Sequence, residues 1–89
     1  MEFEYDPNKS QLNKAKHGID FEQAKGLWEA EKSVEYVAKS RTEPRMVRIA
    51  ALKQKLWVCV FTLRGQKIRI ISVRHLHSGE KKLYEQSND

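Results

Sequence analysis

The stretch Leu56–His77, LWVCVFTLRGQKIRIISVRHLH, decides the fold of this 89-residue chain. Two runs rich in β-branched and aromatic residues flank Gly65, and this composition predicts two long strands joined by a tight turn over Arg64–Lys67. A hairpin this apolar is expected in the middle of a sheet. It nevertheless carries four cations and two histidines, namely Arg64, Lys67, Arg69, Arg74, His75 and His77. Because unpaired charge is costly to desolvate, one face or one end of the sheet should be open to an anionic ligand.

Strand alternation predicts which side chains of the hairpin share a face. With Gly65-Gln66 as a two-residue turn, Arg64 pairs with Lys67 and Thr62 pairs with Arg69. One face then presents Thr62, Arg64, Arg69 and His75. Arg74 points to the other face unless a bulge intervenes.

The first predicted helix begins at Pro7, with Asp6 as its N-cap, and continues to Lys16 or His17. Gly18 suits the left-handed position that ends a helix. Cations in a last turn are favoured by the helix dipole, so Lys16 and His17 are explained either as a helix terminus or as functional groups.

The remaining elements complete an α+β pattern of helices and strands that do not alternate. We expect strands near residues 3–5, 34–37 and 46–51, a helix over 21–29 with an Asp20–Gln23 capping box, and a last helix over 79–86 capped by Ser78. The predicted fold is an antiparallel sheet of about four strands with two N-terminal helices on one face and a short C-terminal helix. The opposite face, without a long helix, is the expected working surface.

The length of the chain predicts one domain over residues 1–89, and the charge distribution suggests its partner. The formal net charge is +5, and the window from Ala38 to His77 holds ten Lys or Arg residues against one acid, Glu43. Such polarity favours a polyanion, because neutralising phosphates drives association without sequence readout. A well-solvated surface is the alternative.

Apolar side chains with possible chemistry are better explained by packing. Cys59 lies mid-strand among valines and is expected in the core, as are Trp28 and Trp57, although either tryptophan could stack on a base. A single cysteine excludes an internal disulfide, and no apolar run is long enough to span a membrane, so we expect a reducing cytoplasm. His75 and His77 have no Cys or acid at ligand spacing, so no metal site is expected.

Two blocks of sequence carry a resemblance to the BrnT family of bacterial toxins. The first is FEYDPNKSQLNKAKHGIDFEQA, with D-P-x-K, N-x-x-K-H-G-I and F-E-x-A elements. The second is T-x-R-G-x-x-x-R-I-I-S-x-R, preceded by Arg48-Ile49 and followed by a terminal Y-E pair. The resemblance implies a RelE-like fold, RNA cleavage that arrests translation, and no cofactor. It also implies a BrnA-like DNA-binding antitoxin as partner, in an assembly of two toxins with two antitoxins that reaches operator DNA only through the antitoxin.

Metal-independent RNA cleavage needs a base, an acid and cations that stabilise a dianionic phosphorane. Combined with the resemblance, this requirement selects as catalytic candidates Arg64, Arg74, His17, Lys16, His75 and Tyr84. RNA-binding candidates are Arg48, Lys67, Arg69 and His77. The alternatives are that Arg48 and Arg69 are strand cations paired with Glu35 or Glu80, and that Tyr84 only packs the last helix.

The chain departs from the family pattern at three places. Leu52–Lys55 replaces a glycine-bearing turn, Val73 replaces an alanine, and His75–Gly79 replaces a basic, alanine-rich segment. The third departure either adds imidazoles to the site or marks altered activity. Two other functions therefore stay open: a non-catalytic nucleic-acid-binding module, and an inactive toxin that acts as co-repressor with its antitoxin.

Overall fold

The computed structural model describes residues 1–87 and contains five strands and three α-helices in that part of the chain. In chain order the elements are β1 (Glu2–Glu4), α1 (Pro7–His17), α2 (Phe21–Ala24) with a 3₁₀ turn (Lys25–Trp28), β2 (Ser33–Ala38), β3 (Arg45–Leu52), β4 (Lys55–Arg64), β5 (Lys67–Arg74) and α3 (Glu80–Gln86). No helix among these residues is long and apolar enough to cross a membrane.

The strands form one sheet in the order β1-β5-β4-β3-β2. Strands β2 to β5 make the predicted antiparallel meander, but β1 adds a fifth strand that runs parallel to β5, with Phe3 beside Ile68. The α+β class is confirmed. The expected antiparallel sheet of about four strands is found in β2 to β5 but was incomplete, because it lacked the parallel strand β1. A three-residue strand carries no signal for its partner, and here it covers part of the edge that β5 would otherwise expose.

The predicted caps of α1 and α2 are confirmed. Asp6 accepts a hydrogen bond from the Asn8 backbone N–H at 2.8 Å, and Gly18 ends α1 with φ of +84°. The Asp20–Gln23 capping box is complete. The second helix is shorter than expected, because the chain tightens into the 3₁₀ turn after Ala24. Gly26 lets Leu52 pack closely against that turn, since a Cβ there would lie 2.8 Å from a Leu52 methyl carbon, which would have to move aside.

Both faces of the sheet bury apolar side chains. The larger cluster lies under α1 and α2 and contains Trp57 and fully buried Cys59, with Trp28 packed against it as predicted. Burial raises the pKa of the Cys59 thiol far above its ordinary value. A smaller cluster on the opposite face, built on Val47, Ile49 and Val58, packs against Tyr84 of α3. The face expected to be a free working surface is therefore partly covered.

The hairpin register was predicted correctly, with Thr62 beside Arg69 and Arg64 beside Lys67. A bulge lies between these pairs and the far end of the hairpin, because Phe61 is beside Ile70 whereas Val60 is beside Ser72. The extra residue reverses the alternation, so Arg74 shares the face of Arg69. His75 consequently lies on the helix side, where it stacks on Trp57, and the prediction that His75 shares a face with Arg64 was wrong.

Asn13 holds α1 against the part of β5 that β1 does not reach. Its Oδ1 accepts from the Val73 backbone N–H at 3.1 Å, and its Nδ2 donates to the Ile19 carbonyl at 2.8 Å. Ser10 accepts from the Phe21 backbone N–H at 2.9 Å. These buried side chains satisfy backbone groups that would otherwise be costly to bury, so they fix the end of α1 beside the end of β5.

Candidate functional site

One end of the sheet gathers most of the candidate side chains, and we call it the histidine end. It is formed where α1 ends, β3 turns into β4, and β5 ends. Its members are Lys16, His17, Lys53, Lys55, Trp57, Arg74 and His75. The hairpin and the Asn13 contacts bring these residues together from three separate segments.

Two imidazoles face one another at the histidine end. The ring centroids of His17 and His75 are 5.7 Å apart, in an edge-to-face arrangement. His75 also stacks on Trp57, with a centroid separation of 4.8 Å and an interplanar angle of 28°. Trp57 is almost fully buried, so it supports His75 as a fixed platform and is not free to stack on a base.

The surroundings of His17 favour its neutral form. Partial burial lowers the pKa of His17 below its ordinary value, and the nearby charges of Lys16 and His75 lower it further. A histidine that stays neutral near pH 7 can accept a proton, and the neighbouring imidazole is close enough to take part in the same proton exchange. The pair therefore has the chemistry of a base and an acid.

Pockets lie on both sides of the histidine pair. A cavity of about 320 Å³ between α1 and β5 is lined by residues that include Lys9, Lys16, His17 and Arg74. A second, of about 300 Å³, lies between the Gly18–Gln23 segment and the β3–β4 turn, where Lys53, Lys55 and Trp57 line it. Lysines on both sides make the surface attractive to a phosphate chain that crosses the pair.

Arg74 is held by a carboxylate of α3. Its guanidinium donates two hydrogen bonds to Glu80, Nη1 to Oε1 at 2.8 Å and Nη2 to Oε2 at 3.0 Å. Nη1 also donates to the His75 carbonyl at 3.1 Å. The Tyr36 hydroxyl donates to Glu80 Oε2 at 2.6 Å, and the His77 backbone N–H donates to Oε1. The guanidinium group of Arg74, which was expected to bind phosphate, thus already binds Glu80. In this state it positions the segment that carries His75.

This network keeps Glu80 ionised. The Arg74 hydrogen bonds, helped by Tyr36 and the His77 N–H, lower the pKa of Glu80 to about 2, against the opposing effect of burial. The prediction that Ser78 caps α3 was wrong, since Gly79 occupies the cap position with φ of +90°. Glu80 satisfies the His77 N–H instead.

The opposite end of the hairpin, which we call the turn end, holds Arg64 and Lys67. Arg64 lies six residues beyond Val58, the cross-strand partner of Arg74, so the two arginines are roughly 20 Å apart along the strands. Arg64 makes one exposed ion pair with Glu43 at 3.4 Å. The structure therefore does not bring Arg64 together with the histidines.

Two further arginines are engaged in pairs. Arg48 lies on the helix face, where Nε donates to the Leu27 carbonyl at 3.1 Å and Nη1 binds Glu35. The alternative that Arg48 pairs with Glu35 is confirmed. Arg69 binds Glu4 at 2.9 Å and not Glu80, so that part of the alternative was wrong. Both arginines tie elements of the fold together.

Two further candidates, Tyr84 and His77, lie next to or within α3. Tyr84 packs in the smaller cluster, with the Lys32 ammonium 4.3 Å from its ring centroid, as the packing alternative predicted. His77 is exposed and lines a separate open pocket next to α3. Within residues 1–87, no three His, Cys, Asp or Glu side chains are grouped as a metal site.

The sequence predicted only that Lys53 and Lys55 lie in a turn and that Gln23 belongs to a helix cap. It did not predict that these three residues line one pocket. Neither the spacing nor the residue type of these three predicts that the β3–β4 turn lies beside the α1–α2 junction. The nearest signal was the polar, lysine-rich Leu52–Lys55 segment, which departs from the family pattern.

The geometry of the site does not specify which reaction it catalyses, but comparison with known proteins does indicate an activity. No curated protein matches the chain. A family model described as the ribonuclease toxin BrnT of type II toxin-antitoxin systems matches residues 5–80. This span includes the first sequence block from Tyr5 onward, the Thr62–Arg74 motif of the second block, and the histidine pair. The chain therefore belongs to the BrnT family of ribonuclease toxins of type II toxin-antitoxin systems.

Proposed function

We propose that the chain is a metal-independent endoribonuclease whose site is the histidine end. The observation that carries this proposal is the His17–His75 pair, 5.7 Å between centroids, set among lysines from separate segments. A fold of the RelE-like ribonuclease type is part of the proposal, supported by a sheet backed by helices.

The reaction is an attack of the ribose 2'-hydroxyl on the adjacent phosphorus. His17, whose pKa is lowered, takes the proton from the 2'-oxygen. The bond from the 2'-oxygen to phosphorus forms, the bond to the 5'-oxygen breaks, and His75 gives its proton to the departing oxygen. The products are a 2',3'-cyclic phosphate and a 5'-hydroxyl end.

The cations of the histidine end would stabilise the charge that develops on the phosphoryl oxygens. Lys16 lies next to His17 in sequence, and Lys55 lies over Trp57 with its ammonium 4.7 Å from the ring centroid. Each positioned donor of this kind is worth about 10²-fold in rate. Arg74 acts through the His75 segment and is a positioning residue in this scheme.

In the cell we propose that this activity arrests translation and that a BrnA-like DNA-binding antitoxin neutralises it. The type II assignment supports an antitoxin partner. We further propose that two toxins assemble with two antitoxins and that the assembly contacts operator DNA only through the antitoxin. The toxin would act in the cytoplasm on RNA that is free or on the ribosome.

A second candidate function is RNA binding without cleavage, either alone or as a co-repressor. One observation favours it: both terminal nitrogens of Arg74, Nη1 and Nη2, already donate to Glu80 and not to a phosphate. A binding module needs the basic surface but neither a base nor an acid.

The test is cleavage of an end-labelled RNA by the purified chain in EDTA, with analysis of the new ends. Fragments that carry 2',3'-cyclic phosphate and 5'-hydroxyl ends are expected. A folded chain that binds RNA but leaves it intact, with and without ribosomes, would contradict the enzyme proposal and support the binding module. Activity that appears only with added metal would contradict metal independence alone.

A further inference from the structure

The cavity beside the histidine pair that is lined by Ile19, Gln23, Leu52 and Trp57 has no part in the proton transfers described above. Its volume is about 300 Å³, its walls are mainly apolar, and Lys53 and Lys55 are among the residues that line it. Apolar walls with a few fixed polar groups are typical of sites for small planar ligands. The lysines favour a ligand that carries phosphate.

The position of this cavity relates it to the scissile bond. Gly18, which directly follows His17, lines it, and so does Trp57, on which His75 stacks. An RNA strand whose phosphate lies at the histidine pair therefore has a neighbouring nucleotide at the mouth of the cavity. The occupant best matched to these surroundings is the base of that nucleotide.

The walls of the cavity are held in place. Ile19 is buried, and its carbonyl accepts from Asn13 Nδ2. Leu52 packs closely beside Gly26, since a Cβ built on Gly26 would lie 2.8 Å from a Leu52 methyl carbon. A rigid site loses little conformational freedom on binding, which favours discrimination between ligands of similar size.

Gln23 lines the cavity, and the hydrogen bonds of its side-chain amide show which end is the oxygen and which is the nitrogen. Its Oε1 accepts from the Asp20 backbone N–H at 3.0 Å and from Lys14 Nζ at 3.0 Å. Because both bonds need an oxygen, the side-chain amide cannot be reversed, and its Nε2 group is the one left to donate to a ligand. A base carbonyl oxygen is the acceptor that this group would recognise.

We infer that this cavity, beside Gln23, binds the base of a nucleotide adjacent to the scissile phosphate and selects bases with a carbonyl oxygen over adenine. Adenine is the one standard RNA base without a carbonyl oxygen. At position 6, where guanine has a carbonyl oxygen, adenine has an amino group, which cannot accept a hydrogen bond from Gln23. One neutral hydrogen bond gives about 5-fold discrimination. The inference rests on the proposed ribonuclease function only for the statement that the nucleotide belongs to a substrate RNA.

The test uses binding and not cleavage. Inosine 5'-monophosphate and adenosine 5'-monophosphate have the same size and differ at position 6, where one carries a carbonyl oxygen and the other an amino group. Their dissociation constants would be measured by NMR titration with the wild-type chain, because a mononucleotide has no internucleotide phosphate that could be cleaved. We expect inosine monophosphate to bind about 5-fold more tightly, with chemical-shift changes at Ile19, Gln23 and Trp57.

Gln23→Glu is the decisive variant. Glutamate at this position of a capping box still accepts the Asp20 N–H, so α2 is retained, but the donor is replaced by an acceptor. The preference should then reverse in favour of adenosine monophosphate. Gln66→Glu makes the same chemical change in the exposed β4–β5 turn and should leave the preference unchanged.

The results separate the inference about base binding from the proposed ribonuclease function. Equal binding of the two nucleotides, or a Gln23→Glu chain that keeps the original preference, would overturn the inference. Shift changes confined to residues outside the cavity would overturn it as well. Selective binding by a chain that never cleaves RNA would leave the inference standing and remove the proposed function, whereas cleavage without selective binding would do the reverse.

Discussion

The two ends of the β4–β5 hairpin are both basic, yet they differ in what surrounds the charges. At the turn end, Arg64 is half exposed and forms an ion pair with Glu43 at 3.4 Å. At the histidine end, Arg74 is mostly buried in a network with Glu80, and imidazoles lie beside it. Positive charge attracts RNA at either end, but only the histidine end also has groups that can exchange protons. Positive charge therefore indicates an anionic partner, but it does not show where on the protein a catalytic site lies.

The largest effect expected from this comparison is on stability. Arg74→Ala would leave the Glu80 carboxylate buried without its main partner and should lower the free energy of unfolding by about 3 kcal/mol. Arg64→Ala removes an exposed pair and should change it by less than about 1 kcal/mol. Urea unfolding of both variants measures the difference. Equal losses would mean that the two ends are not energetically distinct.

The same network predicts a loss of stability in acid. Glu80 has a pKa of about 2 in the folded chain against an ordinary value of 4.5, so its contribution is present above pH 4.5 and is lost as the pH falls toward 2. Between pH 6 and pH 3 this one group should cost about 2 kcal/mol. Unfolding of wild type and Glu80→Gln across that range checks the claim. The difference in free energy of unfolding between wild type and Glu80→Gln should become smaller as the pH falls. A difference that stays constant would contradict the claim.

A smaller effect is expected on RNA affinity. Lys55→Ala at the histidine end should weaken binding several-fold and reduce the slope of log K against log salt by about one. Lys67→Ala at the turn end is the matched control and should leave the slope closer to wild type. Fluorescence anisotropy of a labelled RNA at several salt concentrations measures both. A larger loss with Lys67→Ala would place the RNA at the turn end.

The smallest effect is predicted for the tyrosine of α3. Tyr84 packs in the smaller apolar cluster, and the proposed mechanism gives its hydroxyl no role. Tyr84→Phe should therefore leave the cleavage rate within about twofold of wild type. A loss of 10²-fold or more, in a chain that unfolds at the wild-type urea concentration, would return Tyr84 to the catalytic set.

The parts of the fold that sequence predicted are those with local causes. Asp6, Pro7 and Gly18 bound α1 through short-range capping, and Gly65-Gln66 sets the hairpin register. The bulge in β5 was missed because nothing in Ile70-Ile71-Ser72 distinguishes a bulged residue from a regular one. That one residue decides whether Arg74 or His75 faces the helices.

The candidate site was predicted in its residue types but not in its grouping. Lys16, His17 and His75 do lie together, whereas Arg64 lies at the turn end and Arg48 is enclosed by Leu27 and Glu35. Ion pairs between distant segments depend on register and helix placement, which local sequence does not encode. For that reason the Arg74–Glu80–Tyr36 network could not be foreseen.

The measurement that tests the central claim most directly is single-turnover RNA cleavage by three folded variants. His17→Ala and His75→Ala should each lower the rate by about 10²-fold or more, and Arg64→Ala should reduce it no more than a few-fold. In wild type, the fall in rate on acidification should lie below pH 6.5, because the pKa of His17 is lowered from that value. Loss of cleavage with Arg64→Ala, and its retention in both histidine variants, would contradict the assignment of the site to the histidine end.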